Sequence, residues 1–512
     1  MIRNFNELII KASNKFGNNK YLISANKKYK DYSFKELNKF RINLNFFLEK
    51  KSIKKKNKIL VVMHNSNILS LLFLTIIANS RVFVPINPKL SIKEIEYVVN
   101  QTKPKLILCF SWYKKKFKNL KHIKSIFIKN EIKFINDILN TKNFKKNDEE
   151  NYLKSKKDIV AQILFTSGST GLPKGVILTQ QSMLKNLYGI NERLKIKNKR
   201  PRFLAVTPLF HNNGQFIPTL LPLLLGGTTT PIESETSIIN FWGVASKNRI
   251  QYSSVMATHI NYFLKHTSKP KSSVLECLFC GGAKLEEKIR QKFEKKFRIK
   301  VALNYGLTET SSIVSTESME KKSRKNFSVG KPLYNNFVKI KKINKKDRSG
   351  EVLIKGENLF LNYLKKPKIY KSKFKNNWFK TGDLGYLDKD NFLYINSRID
   401  DMIIVSGENV YPSDVEKYLY KFDEIDVGVL TSIPDEITQN KLLLIYESKN
   451  KIDITKLNRI MKKYVSSYKI PKIILNCNQI GLAEIPKAPN KKILRSKLKN
   501  YVSENYKLFK EF

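Results

Sequence analysis

The sequence predicts an α/β protein of two domains, a large N-terminal one ending in a β-rich part and a small α+β one at the C-terminus. Short β-rich runs alternate with helical patterns through the first part of the chain, the order that parallel sheets require. From Gly350 the pattern changes to short extended runs separated by turn residues. The chain has 512 residues, more than one core accommodates, since single cores stop growing near about 250–300 residues.

In order, the first part reads as a strand at 59–63, a helix at 65–78, a strand at 82–86, a helix from Ser91 and a strand at 106–110. The apolar run 68–78 is shorter than the roughly 18–20 residues of a membrane span, so it reads as a core helix. A polar Lys/Asn-rich stretch, 140–157, has little to bury and reads as a linker or surface excursion. Beyond Gly175 the alternation resumes with strands at 203–206, 253–256, 275–279 and 301–304. After Gly350, runs at 351–355 and 392–395 indicate a β-rich subdomain. A boundary within 397–401 divides the chain into domains 1–399 and 400–512. The second should hold a helix from Ser413, strands at 427–430 and 442–446, and a helix from Ile454. No internal repeat or heptad array interrupts this order.

The formal net charge is +53, which in principle suits nucleic acid or an anionic membrane. The lysines are scattered through every segment beside many Asn and Ile residues, a compositional bias rather than a patch; a specific nucleic-acid partner is not expected. Clusters such as 54–58, 114–116 and 341–346 read as solvated faces. Four cysteines are too few for a disulfide scaffold, and the N-terminus lacks the apolar stretch of a secretory signal, so the cytoplasm is expected. Cys277 and Cys280 form a CxxC without a second pair, and their apolar neighbours read as a buried strand.

The most informative segment is 163–175, I-L-F-T-S-G-S-T-G-L-P-K-G: an apolar strand running into a loop of hydroxyls and glycines that ends in a lysine. Gly168, Gly171 and Gly175 let backbone N–H groups turn toward an anion, Thr166, Ser167, Ser169 and Thr170 add hydroxyl donors, and Lys174 adds a charge. The loop does not follow the Walker pattern, because Pro173 precedes Lys174 and Gly175 follows it, which disfavours kinases and motor ATPases.

T-S-G-S-T-G-L-P-K-G resembles the phosphate-binding signature of the adenylate-forming superfamily, which includes the acyl-CoA synthetases. Further motifs follow in that family's order: Pro208-Leu-Phe-His211, Gly281-Gly282-Ala283, Asn304-Tyr305-Gly306-Leu-Thr308-Glu309, Trp378-Phe-Lys-Thr-Gly-Asp383, Arg398-Ile-Asp-Asp401, Ser406-Gly407-Glu-Asn409 and Pro486-Lys-Ala-Pro-Asn-Lys-Lys492. With Pro85-Ile-Asn-Pro88, the resemblance covers essentially the whole chain. It implies a mobile C-terminal domain and an enzyme that activates a carboxylic acid with ATP as an acyl-AMP, then transfers the acyl group to coenzyme A.

The resemblance also implies roles. Glu309 would hold the Mg²⁺ that bridges phosphate oxygens and Thr308 would donate to the α-phosphate. Tyr305 offers adenine a flat face, the turn 281–283 approaches the base edge, and Asp383 suits the ribose hydroxyls. Asn304, Gly306 and Arg398 belong to the same nucleotide-binding motifs. Lys492 would be the catalytic lysine, with Lys491 the fallback because the family usually has Gly there. Ser397 and Asn362 likewise stand where Gly is common. His211 lies where the family lines its acyl pocket; the aspartate of peptide-synthetase domains is missing after Phe210, which disfavours an α-amino acid. Asp400 would be a hinge and the loop around Gly407 would line the thiol's channel. A carrier-protein phosphopantetheine stays open as the acceptor, and the acid is expected to be short to medium aliphatic, placing the enzyme in fatty-acid metabolism.

Overall fold

The computed structural model describes the chain apart from residues 1, 26–29, 121, 142–158, 167–172, 233–236, 321–323, 343–347, 406–407, 423, 436–438, 449–451, 466, 488–492 and 511–512. It divides into two compact units. One comprises Met1–Lys284, Lys292–Phe337 and Lys355–Phe379; the other comprises Leu285–Gln291, Val338–Ile354 and Lys380–Phe512.

The first unit holds two sheets. A seven-stranded sheet runs Asn362–Tyr363, Lys174–Thr179, Val160–Thr166, Val82–Pro85, Lys58–Val62, Leu106–Phe110, Ser125–Ile128. Pairing is parallel from Val160–Thr166 to the Ser125–Ile128 edge and antiparallel for the other two strands. A nine-stranded sheet runs Lys331–Pro332, Ser315–Thr316, Lys300–Tyr305, Cys277–Cys280, Tyr252–Val255, Arg202–Ala205, Thr228–Pro231, Lys20–Leu22, Tyr32–Ser33. Its interior pairs are parallel. Parallel strands with both faces covered read as continuous apolar runs, which is why they were legible: every residue of Leu106–Phe110 is buried.

The strands expected from the sequence form, with ends displaced by one or two residues in the first unit and by up to five in the second, where the expected 427–430 is Val427–Asp435. Cys277 and Cys280 are buried in a strand and form no disulfide with each other, and burial pushes the Cys277 thiol up to about 12, as a structural pair would have it. The run 68–78 becomes the helix Asn67–Ala78, buried along its whole length and capped by Ser66. Its polar Ser70 and Thr75 donate to the Ser66 and Leu71 carbonyls, so burial leaves neither hydroxyl unsatisfied. No described helix is long and apolar enough to cross a membrane. A capping box of Ser91 and Glu94 starts Ile92–Thr102, as the sequence placed it. Most of the expected linker, 142–157, lies outside the described residues.

In the second unit, the strands Trp378–Leu387 and Leu393–Arg398 pair antiparallel and bring Asp383 opposite Arg398. The turn Ile399–Asp401 leads into a hairpin of Ile403–Val405 and Glu408–Val410. Val427–Asp435 and Gln439–Glu447 form a nine-residue antiparallel ladder, and Ile473–Asn476 adds a parallel strand. The helices Pro412–Glu416, Ile454–Tyr464 and Arg495–Glu504 accompany them. Separate apolar clusters on either side of the ladder, around Leu444 and around Ile445, give this unit its own core.

Candidate active site

The phosphate-loop candidate is carried by two paired strands. Val160–Thr166 leads in and Lys174–Thr179 leads out, their ladder ending at Thr166 opposite Lys174. Ser167, Gly168, Ser169, Thr170 and Gly171 lie outside the described residues. Pro173, at the exit, accepts a hydrogen bond on its carbonyl from the Tyr97 hydroxyl at 3.1 Å. Gly175, which the sequence reading gave to the anion cradle, sits in the ladder opposite Phe165, where a Cβ would crowd Ile163, Leu364 and Phe165 at 3.1–3.2 Å.

The motifs 281–283 and 304–306 both follow parallel strands of the nine-stranded sheet, Cys277–Cys280 and Lys300–Tyr305. Ligands of open α/β sheets bind outside such carboxyl ends. Gly282 adopts φ +82°, a conformation that favours glycine, and Gly281 lies against Asn304, whose Nδ2 a Cβ would meet at 3.3 Å. Asn304 accepts from Thr316 Oγ1 at 3.1 Å, while its Nδ2 is buried with no hydrogen-bond partner among the described residues. An unmet buried donor is costly. Gly306 has a steric reason to be glycine: a Cβ would lie 1.7 Å from the Ser312 carbonyl oxygen. Gly306→Ala should therefore displace the turn that follows, costing about 1–3 kcal/mol and adenylation with it. Urea denaturation of the purified variant checks this; an unchanged midpoint contradicts it.

Thr308 and Glu309 open a short 3₁₀ turn, half-buried, whose Thr310 hydroxyl accepts from Leu307 N at 3.0 Å. The Glu309 Oε1 accepts from the Tyr363 hydroxyl at 2.8 Å, and its backbone oxygen accepts from Phe360 N at 2.8 Å. Sequence reading did not link Tyr363 to Glu309, because nothing local ties it to a carboxylate 54 positions away.

In the second unit Asp383 is buried and accepts from Arg398 Nη1 at 2.8 Å. Its backbone N–H donates to Thr381 Oγ1, which in turn donates to the Val352 carbonyl. Gly382, at φ +74°, gives the Arg398 guanidinium room. Lys492, Lys491 and Gly407 lie outside the described residues. The stem of the lysine segment is described: Lys487 pairs antiparallel with Ile493, Leu494 N donates to the Pro486 carbonyl, and Lys487 Nζ reaches both Glu447 oxygens at 2.8 Å.

His211 caps the helix Asn212–Gln215, its N–H donating to the Pro208 carbonyl at 3.0 Å. The turn is tight because Gly214 leaves no room for a Cβ, which would sit 2.3 Å from the Pro208 oxygen. His211 is exposed to solvent, and the protein packed around it pulls its pKa below the ordinary histidine value, which keeps the imidazole neutral at pH 7. A cavity of ≈580 Å³ also opens in the first unit between Tyr334, Phe337, Leu359 and Asn377, and none of the candidate residues lines it.

The described part of the site is thus a pair of strands that lead into and out of the loop and a Glu309 carboxylate bonded by Tyr363. The chain belongs to the AMP-binding enzyme family, whose model matches residues 10–364. It is 30% identical over 345 residues to a 2-succinylbenzoate–CoA ligase of Bacillus licheniformis, covering 67% of this chain and 70% of that one. It is 28% identical over 351 residues to a sulfoacetate–CoA ligase of Cupriavidus necator, covering 67% of each. Two solved structures share the fold: o-succinylbenzoate CoA synthetase (MenE) of Bacillus subtilis with the acyl-adenylate OSB-AMP, and ATP-bound MatB of Rhodopseudomonas palustris. The first has TM-score 0.80 at 24% identity, covering 96% of this chain and 97% of that one; the second has TM-score 0.86 at 18% identity, covering 98% and 100%.

Proposed function

We propose that this AMP-binding enzyme is an AMP-forming acid–thiol ligase that joins a carboxylic acid to ATP as an acyl adenylate and then passes the acyl group to the thiol of coenzyme A. The observation that carries the reading is the family match over 10–364 together with relatives that are CoA ligases. In the first step a carboxylate oxygen attacks the α-phosphorus and pyrophosphate leaves. In the second the thiol sulfur attacks the acyl carbon, the acyl–phosphate bond breaks and AMP leaves with its electron pair.

We assign the loop 166–171 with Lys174 to the phosphates, Thr308 to the α-phosphate, the turn 281–283 with Asn304 and Tyr305 to the base, and Asp383, held by Arg398, to the ribose. Lys492 supplies the charge that meets the reacting oxygens, and His211, neutral at pH 7, lines the acid's site without adding charge. Magnesium, when bound, neutralises phosphate oxygens. Glu309 fits it: a hard oxygen donor with Oε1 hydrogen-bonded and Oε2 without a hydrogen-bond partner among the described residues. Mg²⁺ is commonly held by one or two carboxylates plus substrate phosphates, in keeping with the absence of a three-residue His/Cys/Asp/Glu group among the described residues.

The relatives' acids, 2-succinylbenzoate and sulfoacetate, each carry an anionic group besides the carboxylate that reacts. An acid of that class is the substrate we assign, in place of the aliphatic acid of fatty-acid metabolism expected from the sequence. The relatives' names offer no support for a carrier-protein acceptor. Pyrophosphate release should require ATP, Mg²⁺ and the acid together, with dianionic acids turned over faster than monocarboxylates of the same length. Free coenzyme A should then yield thioester and AMP. ADP as product would overturn the reaction class; equal turnover of mono- and dianionic acids would overturn the substrate class.

A further inference from the structure

We propose that Tyr363 is a positioning residue for the divalent cation, setting which oxygen of Glu309 faces the metal; this rests on the assignment of Glu309 to magnesium. The short strand Asn362–Tyr363 is the outer neighbour of Lys174–Thr179, with Tyr363 opposite Val176 and Asn362 opposite Ile177. Leu361 N donates to the Ile177 carbonyl and Leu364 N to the Gly175 carbonyl, at 2.9 and 2.7 Å. The segment 360–364 is thus bonded to the strand by which the phosphate loop returns.

The same segment holds Glu309 at two points. Phe360 N donates to its backbone oxygen and the Tyr363 hydroxyl donates to Oε1, each at 2.8 Å. Tyr363 is 3% exposed and its ring packs 4.7 Å from that of Phe360, so its hydroxyl is aimed by a rigid mount. An ionised carboxylate only accepts. With Oε1 occupied, the orientation of Oε2 is set before a cation arrives. The hydrogen bond therefore ties the metal carboxylate to the phosphate loop's exit strand, so that cation and phosphates are presented in one geometry.

A buried tyrosine also bonds a nearby acceptor simply to satisfy its own hydroxyl, so the test must read the metal. Partners of metal-ligating groups typically change metal affinity by about 10–100-fold when removed. Tyr363→Phe deletes the hydroxyl and keeps the ring. Mn²⁺ binding to the protein–ATP complex without acid, followed by electron paramagnetic resonance, should weaken about 10-fold. The KM for Mg²⁺ in pyrophosphate release should rise by a larger factor than kcat falls. Glu309→Gln is the companion variant. If it weakens Mn²⁺ binding and Tyr363→Phe does not, Tyr363 is structural and the inference is overturned. If Glu309→Gln itself leaves Mn²⁺ binding unchanged, the assignment of Glu309 to the metal is what fails.

Discussion

Lys492→Ala should slow acyl-adenylate formation about 10²–10³-fold, the loss typical of removing one donor aimed at charge that develops in the transition state. Charge on the α-phosphate and on the attacking carboxylate must be met by a group already in place, because reorganising solvent at that moment is what the enzyme avoids. The described stem bears on this. The residues on either side of 488–492 are paired, Lys487 with Ile493, and anchored by Lys487 on Glu447 and by Arg495 on Glu416. The thiol's attack on a preformed acyl adenylate needs no such charge, so thioester synthesis from supplied acyl-AMP should survive. Single-turnover measurements of the two half-reactions separate the steps. Should Lys491→Ala, and not Lys492→Ala, produce the loss, the assignment is displaced by one residue.

The large features of the fold were readable because each rests on local chemistry repeated many times. Buried parallel strands made apolar runs such as 106–110, Ser91 marked a helix start, and polar Ser70 and Thr75 did not hide the core helix, since both bond within it. What could not be read has a common cause: it depends on contacts distant in sequence. The packing reason for Gly175, pressed by Leu364 in the ladder, could not be read because it is set by a strand that arrives far later. Gly306 stands in a nucleotide motif, yet the Ser312 carbonyl is a sufficient reason for its missing side chain. Tyr363 lies in an unremarkable run of apolar and polar residues, and its bond to Glu309 exists only once the strand 362–363 joins the sheet edge. The acid's identity was hidden for the same reason. It turns on side chains between His211 and Ala283 whose facing the linear order does not reveal.

Arg495→Met should destabilise the second unit by about 3 kcal/mol, near the cost of breaking a largely buried ion pair. The guanidinium joins four elements. Its Nη2 contacts both Glu416 oxygens at 2.7 and 2.5 Å, its Nη1 donates to the Leu430 carbonyl at 3.2 Å, and its Nε lies 3.7 Å from Asp401 Oδ2. Leu430 N closes the circuit by donating to Glu416 Oε1. Burial alone would lower the Arg495 pKa; Glu416 and Asp401 beside it raise it instead. Burial also pushes the Asp401 carboxyl up, against the pull of Arg495. Removing the cation leaves both carboxylates desolvated and unpaired, and that penalty, more than the lost attraction, sets the magnitude. The sign of the pH dependence follows. The penalty exists only while the carboxylates are ionised, so the deficit relative to wild type should be full at pH 7 and shrink as pH falls and Asp401 takes up a proton. Adding Glu416→Gln to Arg495→Met should restore part of the loss by removing one stranded charge. Since Asp401 directly follows the proposed hinge Asp400 and Arg495 follows Lys492 by three residues, adenylation should fall further than thioester transfer. Urea midpoints at several pH values, read beside the two half-reactions, test all of this. An Arg495→Met protein as stable as wild type at pH 7 would mean that solvent, and not this guanidinium, satisfies the two carboxylates.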